Sequence, residues 1–261
     1  MSIFQLLIQF VFRATFGVAL AMGITPARWV SSGFYRVHLW VLMGFNTLAS
    51  LTLYTQRDTF SSSLLHVNVV LALAIALAVV SYVGAVLWLY EKVTAGYICL
   101  FLIALAALAA ASLATPWRDR PAAAMLTFLD VITSGLLLGT TLSAMFLGHW
   151  YLNSPTMELL PLRRLVWILA AWIAARMLVS GTGLLLQVQA DAALGSAFWI
   201  FVALRWLSGL IGTLSLAVMT WYTLKIPNTQ SATGILYAGV ILAFIGELTS
   251  QFLSLEARYP L

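Results

Sequence analysis

The chain has 261 residues, of which 62% are hydrophobic and 8% charged, whereas soluble domains carry about 25% charged residues. That balance excludes a water-soluble globular domain and gives an integral membrane protein. The formal charge of +5 comes mostly from residues near the ends of apolar runs, which suits anionic lipid head groups and gives no nucleic-acid signal.

Breaking the sequence at Pro, Gly, Asn and charge clusters gives eight apolar runs, near 3–22, 36–54, 64–90, 93–115, 125–152, 165–187, 197–226 and 235–256. Each is long enough to cross a bilayer as a tilted helix, and none alternates as a barrel strand would. The expected fold is therefore all-α, a polytopic membrane bundle of about eight helices in a single domain over 1–261. The first run superficially resembles a secretory leader, with small residues at Ala19 and Ala21. No basic residue precedes it and Arg13 interrupts it, so it reads as the first spanning helix.

The third and fourth runs meet at Glu91 and Lys92, where the chain must turn within a few residues. Cys99, the single cysteine, lies in the fourth run, which excludes intrachain disulfides and thiolate metal clusters. The loop 153–164 combines two prolines with Arg163 and Arg164, and the loop 227–234 offers Pro227 as a helix stop with Asn228, Thr229 and Ser231 as candidate N-caps. Calling the N-terminal side A and the opposite side B, basic residues at side B are Arg28, Arg36, Lys92, Arg163, Arg164 and Lys225. Side A has Arg57, Arg118, Arg120 and Arg258. The excess makes side B cytoplasmic and both termini external. Trp150, Tyr151, Trp221 and Tyr222 near side B, and Tyr54 and Trp117 near side A, are expected in the interfacial belts.

Ionisable residues well inside apolar runs cost a few kcal/mol and require a partner or a ligand. With a rise of about 1.5 Å per residue, Arg176 and Glu247 lie roughly 16 and 18 Å from side B, and Arg205 and Asp130 roughly 12 and 8 Å from side A. Two ion pairs are expected, Arg176 with Glu247 and Arg205 with Asp130, with Ser180, Thr182, Thr249 and Gln251 closing the polar cluster. Arg13 is left without an obvious acid. The functional alternative is that Arg176, Arg205 and Glu247 meet an electronegative ligand or relay protons. Glu247 is the acid placed to gain and lose a proton, because burial and a neighbouring guanidinium act on a carboxyl in opposite directions.

His38 and His149 lie near the side B ends of the second and fifth runs, where paired imidazoles could hold a b-type haem; His149 is also a quinone or proton ligand candidate. His66, near side A, has no partner. The sequence contains no phosphate-cradling glycine loop, HExxH, CxxC or GxSxG. The pairs Gly181/Gly183 and Gly209/Gly212 read as sites of close helix packing.

The last run, with its triplet Gly246-Glu247-Leu248, resembles the final helix of the NrfD-type anchor subunits of dimethyl sulfoxide and polysulfide reductases. The preceding helix with its one arginine, Arg205, is similar in placement, as is the helix count. The likeness covers the last 65 residues or so; Thr249 and Ser250 stand where the family often has a basic residue, and the first half offers no match. The resemblance implies a membrane subunit that binds a quinone or quinol (menaquinone or ubiquinone) and exchanges electrons with partner subunits carrying iron–sulfur clusters or haems, in a prokaryotic inner (cytoplasmic) membrane. Two other readings stand beside it: a structural subunit that docks a partner through Arg163 and Arg164, and a small-solute or lipid transporter.

Overall fold

The computed structural model describes residues 3–61, 67–117, 121–154, 157–191, 194–226 and 228–261. His66, Arg118, Arg120, Pro155 and Pro227 lie outside them. The described residues form eight long helices, each apolar enough to cross a membrane: α1 (Ile3–Gly23), α2 (Ser32–Thr55), α3 (Val67–Leu89), α4 (Val93–Ala114), α5 (Pro121–Asn153), α6 (Leu160–Ala190), α7 (Ser196–Lys225) and α8 (Thr229–Glu256). A short helical turn, Arg57–Ser61, follows α2.

The boundaries follow local chemistry. Pro121 opens α5, where a missing N–H costs nothing. Asn228 caps α8, its side chain accepting from the Ser231 N–H at 2.9 Å. The turn between α3 and α4 is made by Glu91 at φ 55°, with the Lys92 N–H returning to the Leu87 carbonyl at 2.9 Å. Left-handed backbone at a non-glycine residue is uncommon, and here it lets two spans follow with almost no loop.

The helices pack as two groups of four. In each, neighbours in sequence are neighbours in space and the fourth helix closes onto the first, α4 against α1 and α8 against α5. The groups meet chiefly through α1 and α5. Within lipid, apolar contact alone gives no preference for one helix over another, so close approach of backbones selects the interface. Gly17 of α1 faces Gly135 and Gly139 of α5, and a Cβ on Gly17 or Gly139 would run into backbone of the opposite helix. Arg13 lies beside Gly135 and Gly17 beside Gly139, so the two helices run parallel. The spacing Gly135-Leu-Leu-Leu-Gly139 is the small-xxx-small pattern of such contacts.

Elsewhere Gly96 seats the Trp88 indole between α3 and α4. Gln9 of α1 donates to the Ala114 carbonyl of α4 at 3.0 Å, where a face of Ala104, Ala107, Ala110 and Ala111 is buried. Helix α7 is interrupted by a π segment, Arg205–Gly212, within which Gly209 touches Gly246 of α8 backbone to backbone. Residues 257–261 fold back between α6 and α8: the Arg258 and Tyr259 N–H groups donate to Gln187 Oε1 at 2.8 and 3.3 Å, the Ser250 hydroxyl donates to the Leu261 carbonyl, and the Pro260 carbonyl lies against Gly183.

Candidate functional site: a buried chain of five charges

Helix lengths set the site. Nine residues separate Pro121 from Asp130, Ser196 from Arg205 and Glu247 from Glu256, and ten separate Ile3 from Arg13. At about 1.5 Å per residue all four lie roughly 14 Å from the side A ends of their helices. Arg176 reaches the same level from α6. The five residues form one alternating line across the bundle. Arg13 Nη1 lies 2.8 Å from Asp130 Oδ2, and Arg176 Nη1 lies 2.5 Å from Asp130 Oδ1. Arg176 then grips Glu247 with two donors, Nε to Oε1 and Nη2 to Oε2, each 3.1 Å. Arg205 Nη2 completes the line 2.8 Å from Glu247 Oε1. All five residues are at most 5% exposed.

The meeting of Arg176 with Glu247 agrees with the depth argument. The pairing of Arg205 with Asp130 does not occur: Arg205 binds Glu247, and Asp130 binds Arg176 and Arg13. Depth is not the reason, since helix formation from Pro121 through three alanines places Asp130 roughly 14 Å deep, level with Arg205 as well as with Arg13. The reason is lateral: α5 packs against α1, α6 and α8, whereas α7 packs against α6 and α8. Arg13, expected to lack an acid, is therefore an end of the network. Of the hydroxyls and amides expected to close the cluster, only Ser180 meets it, accepting from Arg205 Nη2 at 3.5 Å. Thr182 and Thr249 bond back to the Leu178 and Ile245 carbonyls of their own helices. The closing groups are instead Ser250 and Thr133, which accept from Arg176 at 2.9 and 3.5 Å. Each stands three residues after an acid, Glu247 or Asp130, and so on the same helical face; that spacing was the available signal for both.

The network is not fully satisfied. Arg13 Nε, Arg205 Nε and Nη1, and both polar atoms of Gln251 are buried without a hydrogen-bond partner. A polar crevice of about 20 Å³ reaches Arg13, Asp130 and Gln251 past Gln9, Thr115 and Pro260. Its volume is that of a water or two, and its mixed donors and acceptors are what a bound water requires. Glu247, by contrast, is sealed, with both oxygens held by arginines. The π segment begins at Arg205, and Gly209 and Gly246 admit the guanidinium between α7 and α8: its Nη1 would lie 2.6 Å from a Cβ on Gly209. Single-turn π distortions frequently mark functional sites.

The histidines stand apart from this line. His38 is buried with Nδ1 2.6 Å from the Phe34 carbonyl, and its ring lies 4.4 Å from both Phe34 and Phe146. His149 Nδ1 lies 3.2 Å from the Tyr237 hydroxyl. Both imidazoles are thus in contact with protein groups, His38 with two aromatic rings and a backbone carbonyl and His149 with a tyrosine hydroxyl. Among the described residues no group of three or more His, Cys, Asp or Glu could hold a metal ion. Tyr54 and Tyr222 are exposed at the helix ends, as belts require. Tyr151 is buried instead, its hydroxyl donating to the Glu158 carbonyl, and the Trp150 indole donates to Ser31 Oγ at 2.9 Å. Arg163 and Arg164, expected in a docking loop, lie in the first turns of α6; Arg163 Nη2 donates to the Leu224 carbonyl at 2.7 Å and Arg164 lies over the Trp29 ring at 5.5 Å.

Fold and site together define a class: a polytopic helical membrane protein whose two four-helix groups are joined by a buried ionic chain at one depth. Comparison with protein-family models, curated proteins and solved structures gives no match to this chain.

Proposed function

We propose that the chain is a quinone-interacting integral membrane subunit of a multisubunit electron-transfer complex, in which the charge chain carries protons between the side A crevice and the membrane interior. One observation carries this reading. The alternating line Arg13–Asp130–Arg176–Glu247–Arg205 runs from a water-sized crevice to a π-distorted helix and retains unpartnered guanidinium N–H groups. Oxidation of a quinol releases two protons and two electrons. With Cys99 its one thiol, this chain has no thiolate set for a cluster, so the electrons pass to partner subunits bearing iron–sulfur clusters or haems. The protons pass through carboxylates, Glu247 inside and Asp130 at the crevice, each taking a proton only when one of its two arginines releases an oxygen. The setting is a prokaryotic inner membrane with side B cytoplasmic and the termini external.

The test is Glu247→Gln in the assembled complex. Quinol turnover is expected to fall at least tenfold with assembly intact, and full turnover would refute the proton role. A second reading, a purely structural clamp, draws on the sharing of each carboxylate by two arginines that tie five helices together. It predicts that loss of assembly always accompanies loss of turnover.

A further inference from the structure

Near side A two hollows flank the Phe201 and Phe252 rings. A third, of about 250 Å³, lies toward side B in the groove between α6 and α7. Val166 and Ala217 are buried at its base, while Trp167, Val218 and Tyr222 are exposed along its edges. Trp167 and Trp221 join the two helices edge to face, with ring centroids 5.0 Å apart. At about 1.5 Å per residue the lining runs from roughly 4 to roughly 12 Å below the side B end of α7. The side B mouth of this groove is basic. Arg163, one turn before Trp167, donates from Nη2 to the Leu224 carbonyl of α7 at 2.7 Å. Lys225 is the next residue, one turn after Trp221, and its Nζ lies 4.7 Å from the centre of the Tyr222 ring. Two cations from different helices thus meet at one end of one groove. Among the described residues no carboxylate pairs with either of them.

We propose that this groove binds one anionic phospholipid, its phosphate between Arg163 and Lys225 and one acyl chain along the hollow. The site is independent of the proton reading. The Arg163 guanidinium uses one N–H on Leu224 and keeps further donors in a fixed fork that matches two phosphate oxygens, while the Lys225 ammonium adds a compact charge. Depth agrees with this placement. Tryptophan and tyrosine rings belong at head-group level, and the apolar base of Val166, Ala170 and Ala217 lies where an acyl chain would follow. Those three side chains ask nothing polar of an occupant. A partner helix is too large for the hollow, since a single turn about 10 Å across and 5.4 Å long occupies roughly 400 Å³. The charge selects the head group. Two cations facing one phosphate leave a positive excess, which disfavours a lipid carrying its own choline or ammonium and favours one with an uncharged glycerol head.

The test uses the full chain in phosphatidylcholine nanodiscs doped with phosphatidylglycerol that carries a diazirine on one acyl chain, and maps the photolabelled peptides by mass spectrometry. Label is expected to concentrate on α6 and α7 around Trp167, Val218 and Trp221. Unlabelled phosphatidylglycerol is expected to compete it away, and added phosphatidylcholine is not. Lys225→Gln, at an exposed side chain, is expected to cut the label about fivefold, the effect of removing one cation from beside an anionic head group. Val218→Trp, which crowds the groove from its exposed edge, is expected to abolish the label with the helical circular dichroism spectrum unchanged. Arg163→Gln also loses the Leu224 contact, so the decision rests on Lys225→Gln and on the competition in the wild-type chain. Equal competition by phosphatidylcholine, label spread evenly over the lipid-facing helices, or full label in Lys225→Gln overturns the site. A groove covered by a second copy of the chain, read as a dimer cross-linked at Trp167 and Trp221 with no lipid label, overturns it as well.

Discussion

Exchanging the charges of Arg176 and Glu247 (R176E/E247R) separates a simple pair from a shared chain. In an isolated pair the exchange restores attraction and with it assembly. Here each residue has a second partner: Asp130 lies 2.5 Å from the Arg176 guanidinium and Arg205 lies 2.8 Å from the Glu247 carboxylate. The exchanged chain sets a carboxylate at 176 against Asp130 and a guanidinium at 247 against Arg205. Two unit like charges about 3 Å apart at an effective dielectric of ~20 repel by about 5 kcal/mol. Two such contacts exceed the ~3–5 kcal/mol of removing one partner from a buried pair. The exchange is therefore expected to be worse than Arg176→Met or Glu247→Met alone. Conversely, Arg205→Met/Glu247→Met leaves the line Arg13–Asp130–Arg176 intact and, of the two guanidiniums that Glu247→Met strands, removes the one at Arg205, so it is expected to be about 2 kcal/mol milder than Glu247→Met. Denaturant titration in detergent micelles, followed by circular dichroism, ranks the variants. An exchange variant within about 1 kcal/mol of the wild type would refute the shared-chain argument.

Other expectations follow from close contacts. Gly139→Leu drives a side chain into the α1 backbone at Gly17 and is expected to lower the thermal midpoint in detergent by several degrees. Gly44→Leu, whose Cβ meets nothing within 4 Å, is expected to change it little. Gln187→Leu removes the acceptor for two N–H groups, a cost of about 1–3 kcal/mol, and is expected to raise hydrogen exchange at Arg258 and Tyr259. The packing of His38 against Phe34 and Phe146 predicts no Soret band from the purified chain, and a bis-imidazole haem spectrum would overturn that argument.

The fold was legible because the bilayer imposes it. A run of about 20 apolar residues has one structure available to it in lipid, and each of the eight expected runs coincides with one of the eight helices, the ends differing by at most six residues. The pairing of charges was less legible, because it depends on depth, and depth accumulates every error in a helix start. Four residues of misplacement at Pro121 moved Asp130 a full turn and hid its match in depth to Arg13, while which helices are neighbours, α5 beside α1 and α6 and not α7, is not written in any one run. The two-group arrangement is compatible with eight runs but is not written in any internal repeat of the sequence. Its signature, Gly135 and Gly139 facing Gly17, lay in the fifth run, while Gly181 and Gly183 drew notice instead. Gly183 does make a close contact, but with the Pro260 carbonyl and not with another helix. No periodicity in α6 or α8 could announce that.

The parallel packing of α1 on α5 bears on the transporter reading. Each group contains four helices, so both groups enter and leave the membrane on the same side, and the relation between them is a parallel one. Inverted-topology repeats, which place a substrate between two opposed halves at the bilayer centre, cannot arise from such a pair. Between these halves stands instead a backbone contact at Gly17 and Gly139, tight enough that no side chain intervenes, with the Arg13–Asp130 pair one turn away. Rocking one half against the other would have to break that ion pair inside the membrane on every cycle. The opposite demand falls on α7 and α8, where the π segment leaves guanidinium donors unpartnered and two cavities lie within a turn. The α1–α5 seam is thus a backbone contact braced by an ion pair, the α7–α8 seam holds hydrogen-bond donors without partners, and Arg176, gripping both carboxylates, links the two.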